Sequence, residues 1–126
     1  MPILSFKDLR IWQEGYALML DIYALTKEFP SAERFGLVAQ LRRAAVSVPS
    51  NIAEGFGRTL REEVRYLAIA RGSVQELICQ CMIAKDLNYV TKDNIDQMLV
   101  RYDHLSAGIY RCISALDAHA LKMTKT

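Results

Sequence analysis

The sequence predicts an all-α protein, an antiparallel up-down-up-down four-helix bundle, and three observations carry that expectation. Glycine and proline are scarce, six and three among 126 residues, so few positions break regular structure. Hydrophobic residues make up 52% of the chain and recur at steps of three and four. Ser5, Ser31, Thr59 and Thr91 each stand where such a run begins, and hydroxyl side chains satisfy the free amides of a helix start.

The first helix is expected over about residues 6–29, opened by Ser5 with Asp8 in its first turn and closed by Pro30. It carries two apolar stripes. Leu9, Trp12, Tyr16, Met19, Leu20 and Tyr23 mark one; Ile11, Leu18, Ile22, Leu25 and Phe29 mark the other. A monomeric bundle needs one buried face, so the surplus stripe points to a second contact surface.

The second helix, about residues 32–57, follows Ser31, has Glu33 in its first turn and turns Leu37, Leu41, Ala45, Val48 and Ile52 inward. Pro49 removes a backbone donor, so a kink or short break is expected near residues 45–49. Gly55 and Gly57 stop the helix. Thr59 and Glu62 form a capping box for the third, about residues 60–87, whose stripe is Leu60, Val64, Leu67, Ala70, Val74, Leu77, Ile78, Cys81 and Ala84. Asn88, Tyr89 and Val90 make a turn.

Thr91 opens the fourth helix, about residues 92–120, with Ile95, Met98, Leu99, Tyr102, Leu105, Ile109, Ile113, Leu116 and Ala120 inward; residues 122–126 are expected to fray. Links this short force sequential helices to run antiparallel, and with no repeat or linker the chain reads as one domain, 1–126.

No apolar run is long enough for a membrane span, and the N-terminus lacks the charged and apolar regions of an export signal. The three cysteines are odd in number, which fits reduced thiols; a cytoplasmic location is expected, with no membrane partner. A catalytic constellation is not found. His104 and His119 have no carboxylate at three or four residues, so solvated helix histidines are expected rather than metal ligands. Cys79 and Cys81, two apart on a helix, point to nearly opposite sides and cannot share a metal. Gly55 and Gly57 flanking Phe56 match a phosphate loop only weakly, without the Lys and Ser/Thr that such a loop needs. No enzyme activity, cofactor or metal is expected.

Charge is more informative. The net +2 hides a segment, residues 34–71, with seven Arg, three Glu and no Lys. Arg is the side chain best suited to bidentate carboxylate or phosphate partners. Arg42, Arg43, Arg58, Arg61 and Arg65 are the candidate nucleic-acid contacts, with Arg58, Arg61 and Arg65 spaced to share a face across the turn; Glu54, Glu62 and Glu63 compete for them. Beside them Gln40, Ser47, Asn51 and Glu54 form a polar stripe among alanines. It is either a buried or subunit-contact hydrogen-bond network or simply the solvated face. Trp12, Tyr16, Tyr23 and Tyr102 are assigned to core stripes, which leaves Phe56 and Tyr66 as base-stacking aromatics.

The Gln40-Leu41-Arg42-Arg43 run, followed by Asn51-Ile52-Ala53-Glu54-Gly55, resembles the family named for the intervening sequences of 23S ribosomal RNA genes. Phe6-Lys7-Asp8-Leu9 with Trp12, Phe29-Pro30 with Glu33, and Arg65-Tyr66-Leu67-Ala68 through Ser73 with Glu76-Leu77 extend the likeness over nearly the whole chain. Arg71 departs from it, standing where an apolar or small residue is expected. The resemblance implies a bacterial four-helix bundle that assembles as a ring-shaped homopentamer. A related branch, the accessory variability proteins of diversity-generating retroelements, binds nucleic acid and works with a reverse transcriptase. No catalytic residues come with the family. The leading expectation is a non-enzymatic, oligomeric nucleic-acid-binding protein acting on RNA or mixed structures; the alternative is a ring that scaffolds a protein partner.

Overall fold

A computed structural model of the chain describes residues 2–124. Among them stand four long helices and no strand: α1 (Arg10–Thr26), α2 (Leu37–Gly55), α3 (Leu60–Asp86) and α4 (Lys92–Thr124), with short 3₁₀ turns at Phe6–Asp8 and Ser31–Glu33.

The starts of α1 and α2 fall later than their hydroxyl residues predict, for two different reasons. Ser5 does cap, but it closes a separate turn. Its Oγ accepts from the Lys7 amide at 3.2 Å, and the Asp8 carboxylate accepts from the Leu4 and Ser5 amides at 3.0 Å each. The box is complete within three residues, so the chain extends at Leu9 (ψ 127°) before α1 begins at Arg10.

Ser31 makes no side-chain cap at all. Glu33 takes that role: one carboxylate oxygen accepts from the Leu37 amide at 3.3 Å, and the other accepts from the Tyr89 hydroxyl at 2.8 Å. A carboxylate at the positive end of α2, tied to the α3–α4 connection, fixes where the second helix starts.

Pro49 does not break α2, which is assigned helical through it to Gly55. Val48 and Pro49 are buried, with Ala45 and Ile52 in the core one turn either side, and that packing outweighs one lost backbone bond. At the end of α2, Gly57 takes φ +80° and lets the chain reverse. Gly55 has a different reason to be glycine, since a Cβ there would sit 2.6 Å from Tyr66 Cβ. The Thr59 hydroxyl accepts from the Glu62 amide at 3.3 Å and starts α3 where predicted. Lys122 to Thr124 are helical rather than frayed, and residues 125 and 126 lie outside the described residues.

Leu18, Ile22, Leu41, Val48, Val74, Leu77, Ile95, Tyr102, Leu105 and Ile109 form the centre of one core shared by all four helices. Burying each large aliphatic side chain contributes about 1.5–3 kcal/mol. On α1 the inward stripe is Ile11–Leu18–Ile22. Of the other stripe, Leu9, Trp12 and Met19 are half-buried against the core, and Tyr16 (43% exposed), Leu20 (52%) and Tyr23 (36%) lie at the surface. Of the four aromatics assigned to core stripes, only Tyr102 is fully inside. Tyr16 and Tyr23 are surface residues because Ile11, Leu18 and Ile22 already fill the space between α1 and its neighbours.

The seam between α2 and α3 is the most extensive. It joins Arg43 to Glu76, Ser47 to Ser73 and Gly55 to Tyr66, falling along α3 as it climbs α2. The seam between α1 and α4 is the least closed. Among the described residues no helix is long and apolar enough to cross a membrane.

Candidate nucleic-acid interface

The polar stripe of α2 resolves into an inner and an outer part. Ser47 Oγ and Ser73 Oγ share a hydrogen bond of 2.9 Å, and Asn51 Nδ2 donates to both the Ser47 carbonyl (2.8 Å) and its hydroxyl (3.0 Å). Ser73 is buried, Ser47 and Asn51 half-buried, and the flanking Ala44 and Ala70 are fully inside. Small side chains bring the two helices close and leave room only for short polar groups, which then satisfy one another. Gln40 and Glu54 lie outside this cluster, exposed at the surface, and each is engaged with an arginine.

The five candidate arginines do not form one cluster. Arg42 turns towards α1: its Nε donates to Thr26 Oγ1 at 2.9 Å, a terminal nitrogen donates to the Tyr23 carbonyl at 3.4 Å, and the guanidinium lies 4.7 Å from the Tyr23 ring centre. It staples α2 to the C-terminal end of α1. Arg43 turns the other way, holding Gln40 Oε1 at 3.1 Å and Glu76 at 2.5 Å across the α2–α3 seam. Arg58 folds back on its own helix, donating to the Glu54 carbonyl and carboxylate at 2.8 Å each, with its guanidinium 5.2 Å from the Tyr66 ring centre.

Arg61 and Arg65 differ from these three. Both are exposed, one helical turn apart at the start of α3, with no hydrogen bond, ion pair or ring partner among the described residues. Of the competing carboxylates, Glu54 takes Arg58. Glu62 is exposed and pairs with none of the arginines, and Glu63 is half-buried, its pKa raised by loss of solvent. Adjacent to the free pair, Tyr66 is half-buried beneath Arg58, so a cation and a ring sit within one turn of them.

One ring, Phe35, and the partner of one arginine, Arg71, escaped the sequence reading. Phe35, in the turn before α2, is 88% exposed with the Arg34 guanidinium 5.4 Å from its ring centre. The adjacent Arg-Phe dipeptide was a visible signal, masked by assigning that stretch to a helix. Arg71 lies 5.0 Å from the ring centre of Tyr110, its Nε buried without a partner, and that pairing joins residues too distant in sequence to be foreseen. Phe56 is half-buried beside the Gly57 turn, whose positive φ and the Gly55–Tyr66 contact account for both glycines as conformational requirements.

Cys79 is exposed and Cys81 buried, as their two-residue spacing requires, and burial pushes the Cys81 thiol up to about 12. His104 and His119 are exposed. A family model described as 23S rRNA-intervening sequence protein matches residues 7–111, from the first turn to the middle of α4. None of the curated proteins compared with the chain matches it.

Proposed function

Because the chain belongs to the 23S rRNA-intervening sequence protein family, we propose that it is a non-enzymatic, oligomeric protein of the cytoplasm that binds RNA or mixed nucleic-acid structures through phosphate contacts. The observation that carries this reading is the pair Arg61 and Arg65, two unneutralised guanidinium groups one turn apart beside the Arg58–Tyr66 stack. Phosphate contacts position a ligand without reading its sequence, so recognition is sequence-tolerant.

The helices run up-down-up-down in antiparallel order in this reading, supported by the α2–α3 pairs that descend as they ascend. Assembly is a ring-shaped homopentamer. Supporting it, the outer stripe of α1 and the adjacent side of α2 leave an apolar hollow lined by Trp12, Tyr16, Met19, Val46, Pro49 and Ala53. A ring repeats the arginine pair in every subunit, so weak patches add through effective concentration.

The test is fluorescence-anisotropy binding of structured RNA and duplex DNA across a salt series, with light scattering for the mass. Micromolar binding that weakens steeply with salt supports the reading. A stable oligomer that ignores both nucleic acids at low salt overturns it. That second outcome favours a ring that scaffolds a protein partner, a reading in keeping with the internal pairing of Arg43 to Glu76 and Arg58 to Glu54.

A further inference from the structure

The open seam between α1 and α4 contains a hollow of about 520 Å³ where the first turn of α1 meets the C-terminal half of α4. Its charged lining comes from both helices: Arg10 and Glu14 from α1, His104 and Arg111 from α4. None of these four groups makes a hydrogen bond or ion pair among the described residues. An arginine from each helix thus lines a common space, with Glu14 the one carboxylate in its lining.

Gly108 forms part of the wall on the α4 side. A Cβ there would lie 3.4 Å from the Ile11 side chain and 3.7 Å from an Arg111 terminal nitrogen, so Arg111 lies along the wall over the glycine. The first turn of α1 adds to the positive field. Its N-cap, Leu9, offers no side-chain acceptor, so no side chain neutralises that helix end. Between the charges the wall is apolar, formed by Ile11 and Ala115.

We propose that this hollow binds a phosphate monoester, the dianionic phosphate held between Arg10 and Arg111 and the organic part resting on Ile11 and Ala115. Arg guanidinium is matched to phosphate by its paired donors, and two of them suit a dianion better than a carboxylate. A hollow of about 520 Å³ has room for a ring as well as the phosphate, which separates a mononucleotide from inorganic phosphate. The phosphate arises either from a free mononucleotide or from the phosphorylated end of a nucleic-acid strand. The site shares no residue with the Arg61–Arg65 pair and stands whether or not that pair binds nucleic acid.

The test is titration of the full chain with inorganic phosphate, adenosine monophosphate, and a short oligonucleotide with and without a 5′-phosphate, followed by amide and arginine side-chain NMR shifts. Saturable shifts at Arg10, His104 and Arg111 are expected, with dissociation constants of about 1 mM or tighter for the monoester and weaker binding of inorganic phosphate. Arg111→Gln or Arg10→Gln should weaken it about tenfold. Both side chains are at the surface, and circular dichroism checks that each variant folds. Preference for the 5′-phosphorylated oligonucleotide over its 5′-hydroxyl twin identifies a strand end; binding of the mononucleotide alone identifies a small ligand. Either supports the site. Shifts that do not saturate, or saturable binding indifferent to both Arg10→Gln and Arg111→Gln, overturn it.

Discussion

A guanidinium already paired inside the protein has to give up that partner before it binds another, and this sorts the arginines into two kinds. Arg61→Ala with Arg65→Ala should lower nucleic-acid affinity and flatten the slope of log K against log salt by about 1.8, near 0.9 for each duplex phosphate that is no longer neutralised. Arg43→Ala and Arg58→Ala should change that slope less, because Glu76 and Glu54 hold those charges. Arg42→Ala should act on stability instead, costing about 1 kcal/mol in chemical denaturation through its bond to Thr26. Nothing in the sequence showed which way Arg42 turns: Thr26 is sixteen residues earlier on another helix, and only the docking of α1 brings it near. Spacing put Arg61 and Arg65 on one face together with Arg58, and gave no sign that Arg58 turns back to Glu54 and leaves the other two alone. Cys81 makes a separate prediction. Its native pKa, about 12, stands above its ordinary value of 9.0, so the unfolded chain releases that proton first as pH rises. Stability is complete below pH 9 and should fall between pH 9 and 12 by up to roughly 1.4 kcal/mol per pH unit for this thiol. Buried Tyr102, also raised by loss of solvent, acts in the same direction. Thermal melts from pH 8 upward should show a shallower decline for Cys81→Ala than for the parent chain.

Among the helices, three glycines make opposite demands. Gly55→Ala should destabilise by about 1–3 kcal/mol, because the added methyl meets the Cβ of Tyr66 and the α2–α3 crossing must open. Gly57→Ala should cost about 1 kcal/mol through its positive φ alone, since the space around it is empty. Gly72→Ala should stabilise by up to about 1 kcal/mol: it lies within α3 with nothing near a new Cβ. Urea unfolding midpoints of the three variants separate crossing, turn and helix propensity. Helix number and the inward faces of α2, α3 and α4 were legible in the apolar period, because one stripe on each is unambiguous. The beginnings were not. A capping box says that amides are satisfied, not how long the structure behind it runs, so Ser5 and Asp8 mimic the start of a helix that in fact begins at Arg10. Likewise Pro49 shows in sequence only its missing hydrogen bond, while the burial of its neighbours in the core emerges with the fold.

For the whole molecule, the two stripes of α1 posed a choice that periodicity had no means to make. Both have helical spacing, and only packing against α2 and α4 selects Ile11, Leu18 and Ile22 for the interior. The stripe left outside is the surface expected to build the oligomer. Tyr16→Glu with Leu20→Glu should therefore lower the mass measured by light scattering while leaving helical circular dichroism intact. An unchanged mass would place the contact on another face. The unequal closure of the seams has a kinetic consequence. α2 and α3 are joined by four residues and share the tightest crossing, the serine–asparagine cluster and the Arg43–Glu76 pair, all between segments close along the chain. Closing so short a loop costs little entropy, so this hairpin is the natural nucleus, and α1 joins it late through its looser seam with α4. Mutations in the α2–α3 crossing should then slow folding, and those on the inner face of α1 should mainly speed unfolding. During synthesis both arms of this hairpin are present in the chain once Asp86 is made, so their pairing waits on no later segment and α4 is the last partner to reach it.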